Sequence, residues 1–433
     1  MAGRQLSGLD VAFLCLEGES TPMHMGAVVI FDPGEPVDPE KIAKLLAERA
    51  TRIPRLRQRV SPGLLPGAAN WTDDPLFDPH EHIDTCELHE FYEEDPLAAH
   101  AAEWIEQPLD LARPLWQVRV VNGLPGNRFA LLLKLHHAFT DGAGAFAVAA
   151  GLIDELPITK ALLNKTETPP RPRSPLTLLK ETLSDGKQTA GIATSILRAA
   201  RPYPFSPLSA PSSTSRRLGF VRLEETELRQ VRAAHGGTTN DVILAVLAGA
   251  LRQWMVNRGQ RVDGKRLRAL IPVSTRARES GGANRLSGYL CELPVHIDDP
   301  VERLRAVRRE MNRHKAVGTQ AGAGAVPVLA DRMPPPLHKL ATRAAGQASG
   351  LLFDTVITNV PLPKLDLTLD GAPLREVYPL VPLAPRNALG IAAAVFHDGV
   401  HIGLQANGAA VPDTGSLRDA VLKSAAALYE RSV

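Results

Sequence analysis

Eight prolines, at 169, 170, 172, 175, 202, 204, 207 and 211, crowd the stretch from Thr166 to Arg217 and bracket a single helical segment, Leu176 to Ala200. A proline locks φ and donates no backbone hydrogen bond, so neither a helix interior nor a central strand can run through such a stretch. The chain is thereby cut near its middle. At 433 residues it also exceeds the size at which one hydrophobic core stops growing. The expectation is a first domain at 1–165, a Pro-rich linker with one helix at 166–217 and a second domain at 218–433.

Each half mixes helix and strand patterns. Pro39 to Glu48 sets Ile42, Leu45, Leu46 and Arg49 at helical spacing, with the proline at the start where its missing N–H is harmless. Pro96 to Glu106 reads the same way. Leu115 to Val121 and Phe129 to Leu135 are β-branched or apolar runs that pair as strands across the turn at 122–127. In the second half, Leu218–Leu223, Leu267–Val273, Leu290–Ile297, Thr355–Asn359 and Ala388–Phe396 read as strands, the last two as interior ones. Val301–Lys315 is a helix, and Val242–Leu251 is a buried one capped by Thr239 or Asn240. No internal repeat is apparent. The expected fold class is α/β, with two layered domains.

Composition removes several function classes. A formal net charge of +2 lacks the clustered excess that nucleic acid demands, so no nucleic-acid partner is expected. Cys15, Cys86 and Cys291 are odd in number and scattered, which fits neither a disulfide framework nor a zinc site and points to a reducing cytoplasm. His80, His82 and His89 lie among acidic residues but without metal-ligand spacing, and read as a solvated loop; no metal is expected. The first ten residues lack an apolar export core, and no apolar run approaches the roughly 18 residues that a spanning helix needs. Gly-rich dinucleotide fingerprints are incomplete, and there is neither a P-loop nor a Gly-x-Ser-x-Gly elbow.

The chemistry concentrates at 136–142, where the strand Phe129–Leu135 runs straight into His136-His137-Ala-Phe-Thr-Asp141-Gly142 and then an alanine-rich helix. A neutral hydroxyl must lose its proton as its oxygen attacks, and histidine accepts and returns a proton near neutral pH. A histidine at a strand end can reach a cleft. Asp141 reads as the residue that fixes the loop or caps the helix, and Gly142 as the one that lets the backbone bend.

That segment matches the His-His-x-x-x-Asp-Gly signature of the coenzyme A dependent acyltransferase superfamily, which includes chloramphenicol acetyltransferase and the condensation domains of peptide synthetases. Leu6-Ser-Gly-Leu-Asp10, Thr21-Pro-Met-His-Met-Gly26, Pro108-Leu-Asp110, Arg113-Pro-Leu-Trp116, Asn240-Asp-Val-Ile-Leu-Ala245, Pro272-Val-Ser-Thr-Arg276 and Thr358-Asn-Val-Pro361 accompany it. Together they make the chain resemble the bacterial wax ester synthase/diacylglycerol acyltransferase family along nearly its whole length. The resemblance implies two chloramphenicol-acetyltransferase-like domains with a tunnel between them. It implies an acyl-CoA-dependent O-acyltransferase that esterifies diacylglycerol, long-chain fatty alcohol or both, by direct transfer. His137 maps to the general base, with His136 as its less essential neighbour. Asp141 maps to a loop-holding residue paired with an arginine, for which Arg276 is the candidate; Asn240, Asp241 and Asn359 map to substrate-binding or supporting positions. No cofactor is implied beyond acyl-CoA as co-substrate. The chain departs from the family at Ala283-Asn284 and at Pro361-Leu-Pro363, where Gly-Asn and Pro-Gly-Pro are common.

Two other readings compete: a carrier-protein-dependent condensing or polyketide-associated acyltransferase, and a non-catalytic coat of lipid bodies. The expected partners are acyl-CoA and a hydroxylated lipid acceptor. A lipid acceptor implies a cytoplasmic protein held peripherally at the inner face of the membrane or on lipid bodies. The segment containing Leu176, Leu179, Ile192 and Ile196 with Lys180, Lys187, Arg198 and Arg201 is the candidate contact.

Overall fold

The computed structural model describes residues 4–63, 68–88, 94–154, 206–274, 286–317, 352–360 and 362–433, with single positions at Thr342 and Gly346. The helix expected over Leu176–Ala200, Arg276, the Ala283-Asn284 pair and Pro361 lie outside them.

Two six-stranded sheets organise the molecule. The first is built on β7 (Phe129–His136), flanked by β2 (His24–Phe31) and β6 (Trp116–Asn122), both antiparallel to it; β5 (Ile83–Glu87) then adds parallel to β6. All eight β7 residues are buried, because both faces are covered. Phe129, Leu131, Leu133 and Leu135 pack with Ile42, Leu46 and Ala50 of α2 (Pro39–Thr51) and Val148 and Leu152 of α4 (Gly142–Ile153). Ala130 and Leu132 turn the other way onto α3 (Pro96–Glu106). Each such apolar side chain contributes about 1.5–3 kcal/mol when fully buried. Lys134 shares the α3 face, and its Nζ donates to the Trp104 and Gln107 carbonyls at 3.0 and 2.9 Å, where the end of α3 needs donors.

The second sheet repeats that arrangement. Here β15 (Gly399–Asn407) lies between β8 (Arg216–Glu224) and β14 (Leu389–Phe396), antiparallel to both, and β11 (Thr355–Val360) adds parallel to β14. The order β11-β14-β15-β8 thus mirrors β5-β6-β7-β2, and α8 (Thr414–Glu430) follows β15 as α4 follows β7. This internal repeat leaves no trace in the sequence, since a β pattern is met by many apolar residues and only the pairing is shared. The outer strands are β9 (Leu267–Ser274) and β10 (Leu286–Leu293), so the strand expected over Leu290–Ile297 starts earlier and stops at Leu293. Helices α5 (Glu225–His235), α6 (Thr239–Asn257), α7 (Pro300–Val317) and α8 supply the helical layer. The cap of α6 is Thr238, one residue before the two expected: with Asp241 it closes a capping box.

The division of the chain is not the division of the sheets. Strands β12 (Thr368–Leu369) and β13 (Ala372–Leu380) come from the second half, yet β13 pairs with β2 at the edge of the first sheet. The two units also press directly together: a Cβ on Gly403 of β15 would sit 2.0 Å from the Pro379 carbonyl oxygen of β13, so only glycine fits. A three-stranded sheet, β1 (Arg4–Gln5), β4 (Ala69–Asp73) and β3 (Gln58–Pro62), completes the first unit.

Candidate active site

The end of β7 is held from both sides through its backbone. The His136 N–H donates to the Leu115 carbonyl at 3.0 Å and the His137 N–H to the Met23 carbonyl at 2.7 Å. Leu115 and Met23 belong to two of the short sequences that accompany the central motif. Distant pieces of chain therefore converge here because they share backbone hydrogen bonds.

The adjacent histidines have different surroundings. His136 is fully buried on the α3 face; its Nδ1 accepts the Ala138 N–H at 3.0 Å, and its Nε2 lies 3.1 Å from Glu17 Oε2. An amide can only donate, so Nδ1 carries no proton and the Nε2–H donates to the carboxylate. Both nitrogens are committed. His137 points elsewhere and stacks on Phe13 of α1 (Gly8–Leu16), ring centroids 3.9 Å apart and planes at 22°. Desolvation pushes its pKa from 6.5 down to about 4, and a hydrogen bond with its own backbone only partly offsets that. It is thus neutral, as a base must be, throughout the physiological range.

Glu17 is the residue that sequence reasoning missed. It is the C-cap of α1, and its Oε2 also accepts the Met23 N–H at 2.6 Å. Burial opposes its charge, but the hydrogen bonds from His136 and the Met23 amide outweigh that and hold the carboxyl below its ordinary value. His24, opposite His136 in the β2–β7 ladder, has Nε2 3.8 Å from Glu17 Oε1. Its Nδ1 lies 3.4 Å from the Ile105 carbonyl and its Nε2 accepts the Leu109 N–H at 3.4 Å, while burial lowers its pKa to about 4. Glu17 and His136 are 119 residues apart, a separation across which a single sequence carries no pairing signal.

The rest of the loop is held by residues near and far. Asp141 caps α4, its Oδ1 accepting the Gly144 N–H at 2.9 Å. Gly142 supplies no bend: it lies in the first turn of α4 without a positive φ, and a Cβ there would meet only open space. The close approach is at Gly144, where a Cβ would fall 1.8 Å from Thr140 Oγ1, so that side chain would have to shift. Arg276 lies outside the described residues. Arg55 is the arginine that grips the loop among those described, donating from Nε and Nη2 to the Phe139 carbonyl at 3.2 and 2.6 Å with its guanidinium over the Trp71 and Phe139 rings.

The remaining expected positions do not join this cluster. Asp241 is buried in its capping box, with Oδ2 accepting the Thr238 N–H at 2.8 Å. Asn240 is in the first turn of α6 and Asn359 in β11; among the described residues no hydrogen bond links any of the three to the loop. His82 is not part of a solvated loop but buried, stacked on Trp116 at 4.6 Å with Nδ1 2.9 Å from the Trp116 carbonyl.

With the geometry in place, its relatives can be named. The wax ester synthase/diacylglycerol acyltransferase catalytic domain matches residues 6–243, and the C-terminal domain of the same family matches 282–428. A probable diacylglycerol O-acyltransferase of Mycobacterium tuberculosis is 31% identical over 452 residues, covering 99% of this chain and 97% of its own. Among solved structures, the wax ester synthase/diacylglycerol acyltransferase from Marinobacter aquaeolei VT8 superposes with a TM-score of 0.72 at 25% identity, covering 99% of both chains. A trichothecene 15-O-acetyltransferase from Fusarium sporotrichioides superposes at 0.64 over 98% of this chain and 94% of its own; at 12% identity it shares the fold alone.

Proposed function

The chain belongs to the wax ester synthase/diacylglycerol acyltransferase family, and on that premise we propose that it moves the acyl group of an acyl-CoA onto the hydroxyl of diacylglycerol, a long-chain fatty alcohol or both, with His137 as general base. The observation that carries the assignment is the commitment of both His136 nitrogens, which removes that ring as a base and leaves the motif's chemistry to its neighbour. His137 takes the hydroxyl proton as the acceptor oxygen attacks the thioester carbonyl. The new C–O bond forms, the C–S bond breaks, and the imidazolium returns its proton to the departing thiolate, so ester and free coenzyme A leave with no net proton change. These steps call on no cofactor.

Asp141 holds the loop by capping α4, and the family's motif arginine, Arg276, is its proposed partner. A double-mutant cycle on these two should show clear non-additivity if they meet. The acceptor resides in lipid, so the enzyme works peripherally at the cytoplasmic membrane surface or on lipid bodies; no described helix is long and apolar enough to cross a bilayer. Purified protein given palmitoyl-CoA with hexadecanol or dipalmitoylglycerol should release free thiol and form the matching ester. Transfer only from an acylated carrier protein would overturn the reading.

A further inference from the structure

We infer that Glu17 is a positioning residue for the acyl transfer, acting on His137 through the His136 ring and the backbone of Met23. The inference rests on the proposed role of His137. Three contacts carry it. Glu17 Oε2 fixes the His136 ring through Nε2–H, and the opposite nitrogen of that ring holds the Ala138 N–H; the imidazole thus bridges the backbone on the far side of His137. The same oxygen holds the Met23 N–H, while the Met23 carbonyl receives the His137 N–H, so one carboxylate anchors, on its amide side, the residue on whose carbonyl the His137 backbone rests. Glu17 also ends α1, whose Phe13 stacks on the His137 ring. Backbone and ring of His137 are therefore referred to a single group, one that does not touch His137 itself.

Without Glu17 the His136 Nε2–H loses its acceptor. The ring can then turn, or exchange tautomers and set an N–H against that of Ala138, and the loop is no longer held in one geometry. An amide in place of the carboxylate keeps the essential part, since a single oxygen takes both hydrogen bonds and a glutamine carbonyl can do the same.

The test uses full-length Glu17→Ala, Glu17→Gln and His137→Ala with palmitoyl-CoA and hexadecanol, together with 15N NMR of the His136 ring. Glu17→Ala should lower kcat on the order of 100-fold, as misplacement of about 1 Å does, with little change in KM, and should weaken the preference for the Nε2–H tautomer, which the Ala138 N–H alone then supports. Glu17→Gln should restore the tautomer and recover most of kcat. A purely structural cap would instead lower the melting temperature of both variants while leaving kcat per folded enzyme unchanged, and that result overturns the inference. So does a Gln variant that keeps the tautomer yet is as slow as Ala. If Glu17→Ala does not fold, the Gln variant and its tautomer decide alone. A fully active His137→Ala would sink the base instead, whereas an inactive His137→Ala beside a normal Glu17→Ala sinks this inference only.

Discussion

The ends of β7 and β15 occupy equivalent places in a four-strand order that the two sheets share, each leading through a short loop into a helix, yet their side chains are engaged differently. At the end of β7 the His136 ring is consumed by its surroundings and His137 is turned out against an aromatic ring. At the end of β15 stands Asn407, buried, with Nδ2 donating to the Pro211 carbonyl at 2.8 Å and Oδ1 accepting the Ala409 N–H at 3.1 Å. The helices differ in the same sense: Asp141 caps α4 with its side chain, while Asp413 ahead of α8 makes no such cap and pairs with Arg258 at 2.9 Å. The lesson is one of division of labour. One copy of the repeat spends its strand-end polar group on the fold, and the other holds the imidazole proposed as the base.

The strongest test of that division replaces the two strand-end side chains. His137→Ala should lower kcat by about 100-fold or more with the fold intact, because general-base catalysis contributes that much. Near-normal turnover by a folded mutant would break the comparison. A smaller effect is expected at the two loop glycines. Gly144→Ala forces a Cβ to 1.8 Å from Thr140 Oγ1 and should cost about 1–3 kcal/mol of stability along with activity, as overpacking does. Gly142→Ala meets open space and should keep or slightly raise the melting temperature. Equal losses at both would show that the loop needs a flexible backbone rather than a close approach.

At the other strand end, Asn407→Ala should cost about 1–3 kcal/mol, since it strands the Pro211 carbonyl and the Ala409 amide, while kcat per folded enzyme stays unchanged. A fall in kcat would mean that the second strand end also serves the reaction.

The mildest effect is on pH. Burial drops the pKa of His137 in the first unit, and of His401 on β15 in the second, from 6.5 to about 4. Between those values the unfolded chain binds protons that the fold refuses. Their stabilising share is therefore whole above pH 6.5 and is lost as pH falls toward 4. His401→Phe should flatten the fall of melting temperature between pH 6.5 and 4 and leave the acid limb of kcat/KM in place. That limb belongs to His137 and should lie near pH 4. An acid limb near 6.5 would mean that His137 is far better solvated than its packing implies.

How much of this the chain announces can be judged from single elements. Pro96–Glu106 is legible in full because proline, helical spacing and good helix formers agree, and Phe129–Leu135 because an unbroken apolar run admits few other readings. The cap at Thr238 is not legible to the residue, since Thr238, Thr239 and Asn240 are all competent and only the backbone geometry selects. Gly142 reads as a bend because glycine usually signals one, whereas in the fold it lies in the first turn of α4 beside open space.

By itself the sequence determined the α/β class and the strand-to-helix junction that carries the motif, because those depend on residue type and short spacing; the reaction followed from the family resemblance those motifs carry. It could not choose between His136 and His137 without borrowing from relatives. The engagement of both His136 nitrogens, the place of Glu17 and Arg55 beside the loop, the transfer of β13 into the first sheet and the hidden repeat were decided by tertiary structure alone. The physical reason is common to all four. Each depends on which hydrogen-bond donors and acceptors meet across dozens to hundreds of residues, and that pairing is set by sheet register and packing, on which local propensity has no hold.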